Sequence, residues 1–307
     1  MNKKIACLVA VTLAVSASLP ASGAVQSAVV SWGLDRLDQT TSTLDGIYNY
    51  PDQSGAGVRV YVMDTGVQSD LAGFGGRVAV GFDALAKFRE PNQSGADCNG
   101  HGTTVAGVIG SSTYGVAKSV TIVPVRVAGC DGGVYPESIV KGIDWIIKNH
   151  PRNSAGVVNI SLAVNKSKAV DDAVAKLYSA GLVPVVAAGN FSTDACRFSP
   201  AGAPRAFTVG STNQNDYRTN TSNFGNCVKM FAPGGLIPTE GLRGETVSTG
   251  TSMSAPFVSG AIALYLSKNP KAKPAQVIGA ITKGAQVGAV VNSNSRSSLL
   301  LNTSFLD

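Results

Sequence analysis

Three short segments carry residue types that can do chemistry together. Val58-Arg59-Val60-Tyr61-Val62-Met63 runs into Asp64-Thr65-Gly66, so a carboxylate ends an apolar strand and a glycine lets the chain turn away. Asn99-Gly100-His101-Gly102-Thr103-Thr104-Val105-Ala106-Gly107 sets an imidazole at the start of a helical run of small residues. Gly250-Thr251-Ser252-Met253-Ser254-Ala255-Pro256 sets a hydroxyl at or near the start of the apolar run Phe257–Leu266. Singly, each has a plain structural use: Asp64 as a turn residue, His101 as a packed or surface histidine, Ser252 as a helix cap. The functional reading makes Ser252 a nucleophile and His101 the candidate base, with Asp64 a carboxylate presented at a strand end. A helix start adds an unpaired backbone N–H that can face a developing oxyanion.

Competing chemistries lack a part. Asp-Thr-Gly also marks proteases that share a proton between two aspartates, but no second Asp-Thr-Gly or Asp-Ser-Gly occurs. Ser252 does not sit in the Gly-x-Ser-x-Gly elbow of the carboxylesterase type. The chain has two histidines, and His150, at a helix end before Pro151, reads as a surface residue, which leaves His101 as the candidate base.

The elements that must position these groups read as an α/β protein: a mainly parallel sheet with helices on both faces. Buried strands are expected at Val58–Met63, Val78–Phe82, Val120–Val127, Gly156–Ile160, Leu182–Ala188, Ala206–Gly210 and Val228–Ala232. Ile139, Val140, Ile143, Ile146 and Ile147 share one helical face that must stop near His150 because Pro151 follows; Val170, Ala173, Val174 and Leu177 share another, stopped by Gly181. A last helix begins near Pro274, with Val277, Ile278 and Ile281 inward. In such sheets, chemistry gathers at the carboxyl ends of the strands, where Asp64 stands.

Of the 307 residues, 44% are hydrophobic, 14% are charged and 35 are glycine, which excludes a disordered polyelectrolyte and suits one large domain. The net charge of +6 is scattered, without a Lys/Arg run, so nucleic acid is not expected as a partner. Lys3 and Lys4 precede the apolar run Ile5–Val15, and Ser16–Ala24 is small and polar. Residues 1–24 therefore read as a secretory signal peptide, the apolar run being shorter than the about 20 residues of a membrane span. Of five cysteines, Cys7 lies in that leader. Cys98, Cys130, Cys196 and Cys227 suit two disulfides in an exported chain; three pairings are possible, and the local one closes the shortest loops. No C-x-x-C supports zinc instead.

The chain order Asp64, His101, Ser252 is that of subtilisin. From Trp32-Gly33-Leu34-Asp35-Arg36 to Leu299-Leu300-Leu301 the chain resembles the subtilisin-like serine proteases, most of all their proteinase K branch. The resemblance implies Ser252 as nucleophile, His101 as general acid–base, Asp64 as its orienting carboxylate and Asn190, after Leu182–Gly189, as oxyanion donor. It implies that Ser161, Leu162, Ala163, Ala187, Ala188 and Gly189 line the substrate pocket, and that the loop Gly132, Gly133, Val134 and Tyr135 forms its other edge. It also implies the local disulfides, Cys98 with Cys130 and Cys196 with Cys227. A monomeric, secreted endopeptidase acting on protein or peptide substrates follows, with no membrane anchor and no cofactor; a catalytically weak peptide-binding protein of the same fold is the alternative.

Four departures qualify the resemblance. Ser161-Leu162-Ala163-Val164 replaces the usual Ser-Leu-Gly-Gly, so a Cβ stands where substrate approaches and a narrower or shifted pocket is expected. Thr104 stands where a second histidine is usual and is expected to matter little. Lys229 occupies the place of a calcium-binding Asp beside Pro204 and Ala206; an ammonium repels calcium, so that site is expected to be absent. Only residues 25–31 separate the leader from the peptidase domain at 32–307, so folding without a pro-domain in this chain is expected, either unaided or assisted by something encoded elsewhere.

Overall fold

The computed structural model describes residues 23–85 and 95–306. The expected leader lies outside these residues except for its last two; Ala24 opens β1 (Ala24–Ser27), which pairs antiparallel with β2 (Ile47–Tyr50). The main sheet holds β3 (Val58–Asp64), β4 (Phe82–Asp83), β5 (Thr121–Arg126), β6 (Ala155–Ile160), β8 (Val183–Ala187), β10 (Phe207–Thr212) and β11 (Val228–Pro233). Its order is β11-β10-β8-β6-β3-β5-β4, and every pairing is parallel. Short β7 (Val164–Asn165) pairs with β9 (Phe198–Ser199), and β12 (Ile237–Gly241) with β13 (Gly244–Ser248).

Alternation along β3 shows how the layers form. Val58, Val60 and Val62 join one apolar cluster with α2 (His101–Gly110), α5 (Thr251–Lys268) and α6 (Pro274–Gly284). Tyr61 and Met63 join a second cluster with α3 (Pro136–Asn149) and α4 (Lys168–Ser179), on the opposite face. A short first helix, α1 (Trp32–Asp35), precedes all of these. Being buried on both faces is why these strands read as nearly continuous apolar runs.

β3 is the switch point of the sheet. The chain reaches β5 through α2 on one face, then reaches β6 through α3 on the other, and β5 and β6 flank β3. The loops leaving these neighbours therefore diverge above the carboxyl end of β3, which opens a crevice beside Asp64.

One expected strand is largely lost. Val78–Phe82 reduces to a bridge between Val78 and Ile122 and to the two residues of β4. Along β5, Ile122 N–H donates to Arg77 O and Ile122 O accepts from Ala79 N–H; Pro124, the next residue facing that edge, has no N–H to give. Pairing resumes where Ala84 N–H donates to Arg126 O. His150 also departs from the surface role expected of it: it is half-buried, its Nδ1 lies 2.9 Å from the Tyr61 hydroxyl and its Nε2 3.1 Å from the Ser154 carbonyl. Burial lowers its pKa.

Both disulfides are the local pairs. Cys98–Cys130 and Cys196–Cys227 have Cα atoms 5.1 and 5.3 Å apart. The first ties the segment just before α2 to the loop after β5, and Asn99 Nδ2 donates across the same junction to Cys130 O at 3.0 Å.

Candidate active site

Asp64 ends β3 fully buried, and its Oδ1 lies 2.7 Å from His101 Nδ1. The imidazole is one-third exposed. The Asp64 carboxylate raises the pKa of His101; partial burial opposes this, and Asp97 adds to the rise. His101 can approach so closely because Gly102 follows it: a Cβ at 102 would fall 2.0 Å from the carbonyl oxygen of Gly66. Asp97 fixes the helix start by accepting from Gly100 N–H at 2.9 Å, Thr103 N–H at 2.9 Å and the Thr103 hydroxyl at 2.7 Å. Thr104 is buried, its hydroxyl donating to Gly100 O at 2.8 Å, so the departure from the usual histidine is absorbed within the helix.

Ser252 is the second residue of α5, where a backbone N–H has no carbonyl one turn earlier to bond. Its hydroxyl donates to Ser161 O at 3.2 Å, and Ser161 Oγ donates back to Ser252 O at 3.0 Å. Ser161 is held in turn by Asn159, whose Nδ2 donates to Ser161 Oγ at 3.0 Å and whose Oδ1 accepts from Ser259 Oγ at 2.9 Å. This buried chain of polar groups locks the end of β6 to the first turns of α5. Asn159 and Ser259 escaped the sequence reading; their signal is a polar residue in the middle of an apolar strand and of an apolar helix.

Asn190 follows β8 and is exposed. Its Oδ1 accepts from Thr251 N–H at 2.9 Å and from the Thr251 hydroxyl at 3.0 Å, which fixes the amide so that Nδ2 points away from these donors. Thr251 Oγ1 also accepts from Gly189 N–H at 3.0 Å. Gly250, at φ +140°, permits this approach, since a Cβ there would lie 2.9 Å from Asn190 Nδ2. Thr251 is a third residue that the sequence reading missed; its partners are 61 and 62 residues away.

One cleft of about 290 Å³ gathers these groups, with His101, Ser252, Asn190 and Thr251 on its wall. Of the expected pocket residues, Gly132, Val134, Ser161, Leu162, Ala163, Ala187 and Gly189 line it. Of the others, Tyr135 is exposed at the N-terminus of α3, Gly133 O accepts from Gly129 N–H, and Ala188 is fully buried. Thr65, Asn99 and Phe191 line the cleft as well, Phe191 with its ring stacked on Phe198 at 4.8 Å. Lys229, at the position that a calcium-binding Asp takes in the resembled family, is exposed and its ammonium donates to Asn226 O at 3.4 Å.

Comparison with known proteins agrees with this fold. Residues 55–299 match the model of the subtilase family. The chain is 47% identical over 286 residues to an extracellular serine proteinase of a Thermus species (strain Rt41A), covering 92% of this chain and 68% of that protein. It is 43% identical over 272 residues to alkaline serine exoprotease A of Vibrio alginolyticus, covering 88% of this chain and spanning about half, 49%, of that one. The crystal structure of a cold-adapted subtilisin-like serine proteinase superposes with a TM-score of 0.86 at 41% identity, covering 90% of this chain and 99% of the other. The fold and the cleft define a subtilisin-like α/β hydrolytic scaffold. The chain belongs to the subtilase family of serine proteases.

Proposed function

We propose that the chain is an exported serine endopeptidase that cleaves peptide bonds through Asp64, His101 and Ser252, with Asn190 and the Ser252 N–H as oxyanion donors. The observation that carries the reading is the 2.7 Å contact between His101 and a fully buried Asp64, on the wall of the cleft that also holds Ser252 and Asn190. Export rests on the leader-like residues 1–24 and on the relative named extracellular; among the described residues no helix is long and apolar enough to cross a membrane.

In the reaction, the Ser252 hydroxyl turns from Ser161 O toward His101 Nε2 and attacks the scissile carbonyl as its proton passes to the imidazole. Free hydrolases often hold this contact loosely until substrate tightens it. Charge then builds on the carbonyl oxygen, where Asn190 Nδ2 and the Ser252 N–H donate. His101 returns its proton to the leaving amine, and water, activated in the same way, hydrolyses the acyl-enzyme. Substrate backbone would add as a strand beside Gly132–Val134 and Ser161–Ala163.

A fluorophosphonate that acylates activated serines tests the assignment. Labelling of the wild type at Ser252 is expected, and folded protein that stays unlabelled and hydrolyses no peptide would favour a peptide-binding protein. Thr251→Val, which keeps shape and loses the hydroxyl between Asn190 and Gly189, is expected to lower kcat about tenfold with little change in KM. An unchanged kcat would remove Thr251 from the support of the oxyanion site.

Ala163 lines the cleft, and by the family resemblance its Cβ would stand on the wall that receives the side chain on the acyl side of the cut. The wild type is expected to prefer small over aromatic residues there, and Ala163→Gly to shift kcat/KM toward aromatic ones by about tenfold. Equal rates on peptides that differ only at that residue would refute the narrowed pocket. The residues at the family's calcium position do not suit the ion, because a cation stands where a carboxylate ligand is needed.

A further inference from the structure

The segment that carries Asn190 cannot hold its own shape. Between Ala188 and Thr193 two residues are left-handed, Gly189 at φ +96° and Ser192 at φ +50°, and none belongs to a helix or strand. Its backbone bonds run mostly sideways to a second segment: Ser192 N–H donates to Thr221 O, Asn223 N–H to Gly189 O and Phe224 N–H to Thr193 O. The side chain of Asn223, fully buried, fills the space between the two segments. Its Oδ1 accepts from Phe191 N–H at 2.9 Å and Thr193 N–H at 3.1 Å, and its Nδ2 donates to Ala188 O at 2.9 Å. One amide thus grips the segment on both sides of Asn190. The fit is close, since a Cβ on Gly189 would fall 2.5 Å from Asn223 Nδ2.

We propose that Asn223 is a positioning residue for the oxyanion site: it makes no contact with substrate and acts by setting where Asn190 Nδ2 points. The proposal rests on the reading of Asn190 given above. Thr251 fixes the rotation of the Asn190 amide, and Asn223 fixes the backbone from which that amide projects. Both are needed, because a donor helps the transition state only if it meets the oxyanion at about 2.7–3.1 Å. A displacement of about 1 Å at a reacting group costs up to about 100-fold in rate.

The test is a double-mutant cycle on kcat, with amide hydrogen exchange as a readout independent of catalysis. Asn223→Ala is expected to lower kcat about tenfold, to leave KM within about twofold, and to expose the amides of Phe191 and Thr193 to exchange. In an Asn190→Ala background the same substitution is expected to change kcat less than about twofold, because the donor it would misplace is gone. Equal losses in the two backgrounds would show general destabilisation and overturn the proposal, as would unchanged protection of the two amides. A wild-type kcat in Asn190→Ala alone would overturn the assignment of Asn190, and the proposal with it, while the exchange data would still report whether the brace exists. If Asn223→Ala does not fold, Asn223→Asp serves: it keeps the acceptor for both amides but sets an oxygen against Ala188 O. A kcat loss confined to the background with Asn190 intact is expected from it, and equal losses would overturn the proposal.

Discussion

Ser252→Ala is expected to lower kcat by about 10⁶-fold while the protein keeps its fold, the magnitude known for removal of the nucleophile in subtilisin. The substitution removes one oxygen from a half-exposed side chain and leaves Ser161 Oγ bonded to the Ser252 carbonyl, so the junction of β6 with α5 stays closed. What remains is acceleration by binding and by the oxyanion donors, about 10³ to 10⁴ over water. Hydrolysis of a chromogenic peptide and the thermal midpoint decide the matter together. A loss below about 100-fold with an unchanged midpoint would mean that another group attacks the carbonyl.

Asp64→Asn is expected to lower kcat by about 10⁴-fold and also to move the pH profile. The carboxylate accepts from His101 Nδ1 and so keeps Nε2 free to receive a proton; an asparagine can present its amide donor to Nδ1 and stabilise the wrong tautomer. Because Asp64 is the main cause of the raised His101 pKa, and only neutral imidazole acts as a base, the acid limb of kcat/KM in the wild type should lie above pH 6.5. In Asp64→Asn that limb should move to lower pH, since burial, which lowers the pKa, is no longer outweighed, although Asp97 still raises it. An acid limb at the same pH in both proteins would show that the titrating group is not His101.

The three motifs were legible because each places an unusual polar group at a strand end or helix start, where local sequence alone creates the position. Thr251, Asn159 and Ser259 were not legible. Their partners lie far along the chain, 61 residues from Thr251 to Asn190 and 100 from Asn159 to Ser259, and a lone Asn or Ser in an apolar run states no partner. His150 was misread in part for the same reason: besides its local contact with Ser154, its other ring nitrogen meets the hydroxyl of Tyr61, 89 residues away. The strand expected at Val78–Phe82 failed through a residue on its neighbour, since Pro124 withholds a ladder donor that no inspection of 78–82 reveals.

The sequence by itself determined the layered α/β fold, through apolar runs of strand length and helical periods, and it singled out the three residues proposed as nucleophile, base and carboxylate by their chain order. It allowed three disulfide pairings on composition, and only the fold brought Cys98 to Cys130 and Cys196 to Cys227. Tertiary structure also brought Gly132, Val134, Ser161, Leu162, Ala163, Ala187 and Gly189, from three separate segments, to one cleft. The aim of the Asn190 amide belongs to the tertiary level too. The physical reason is reach: hydrophobic period and turn chemistry act over a few neighbouring residues, whereas the direction of a hydrogen-bond donor is set by partners that meet only when the sheet and its covering helices have closed.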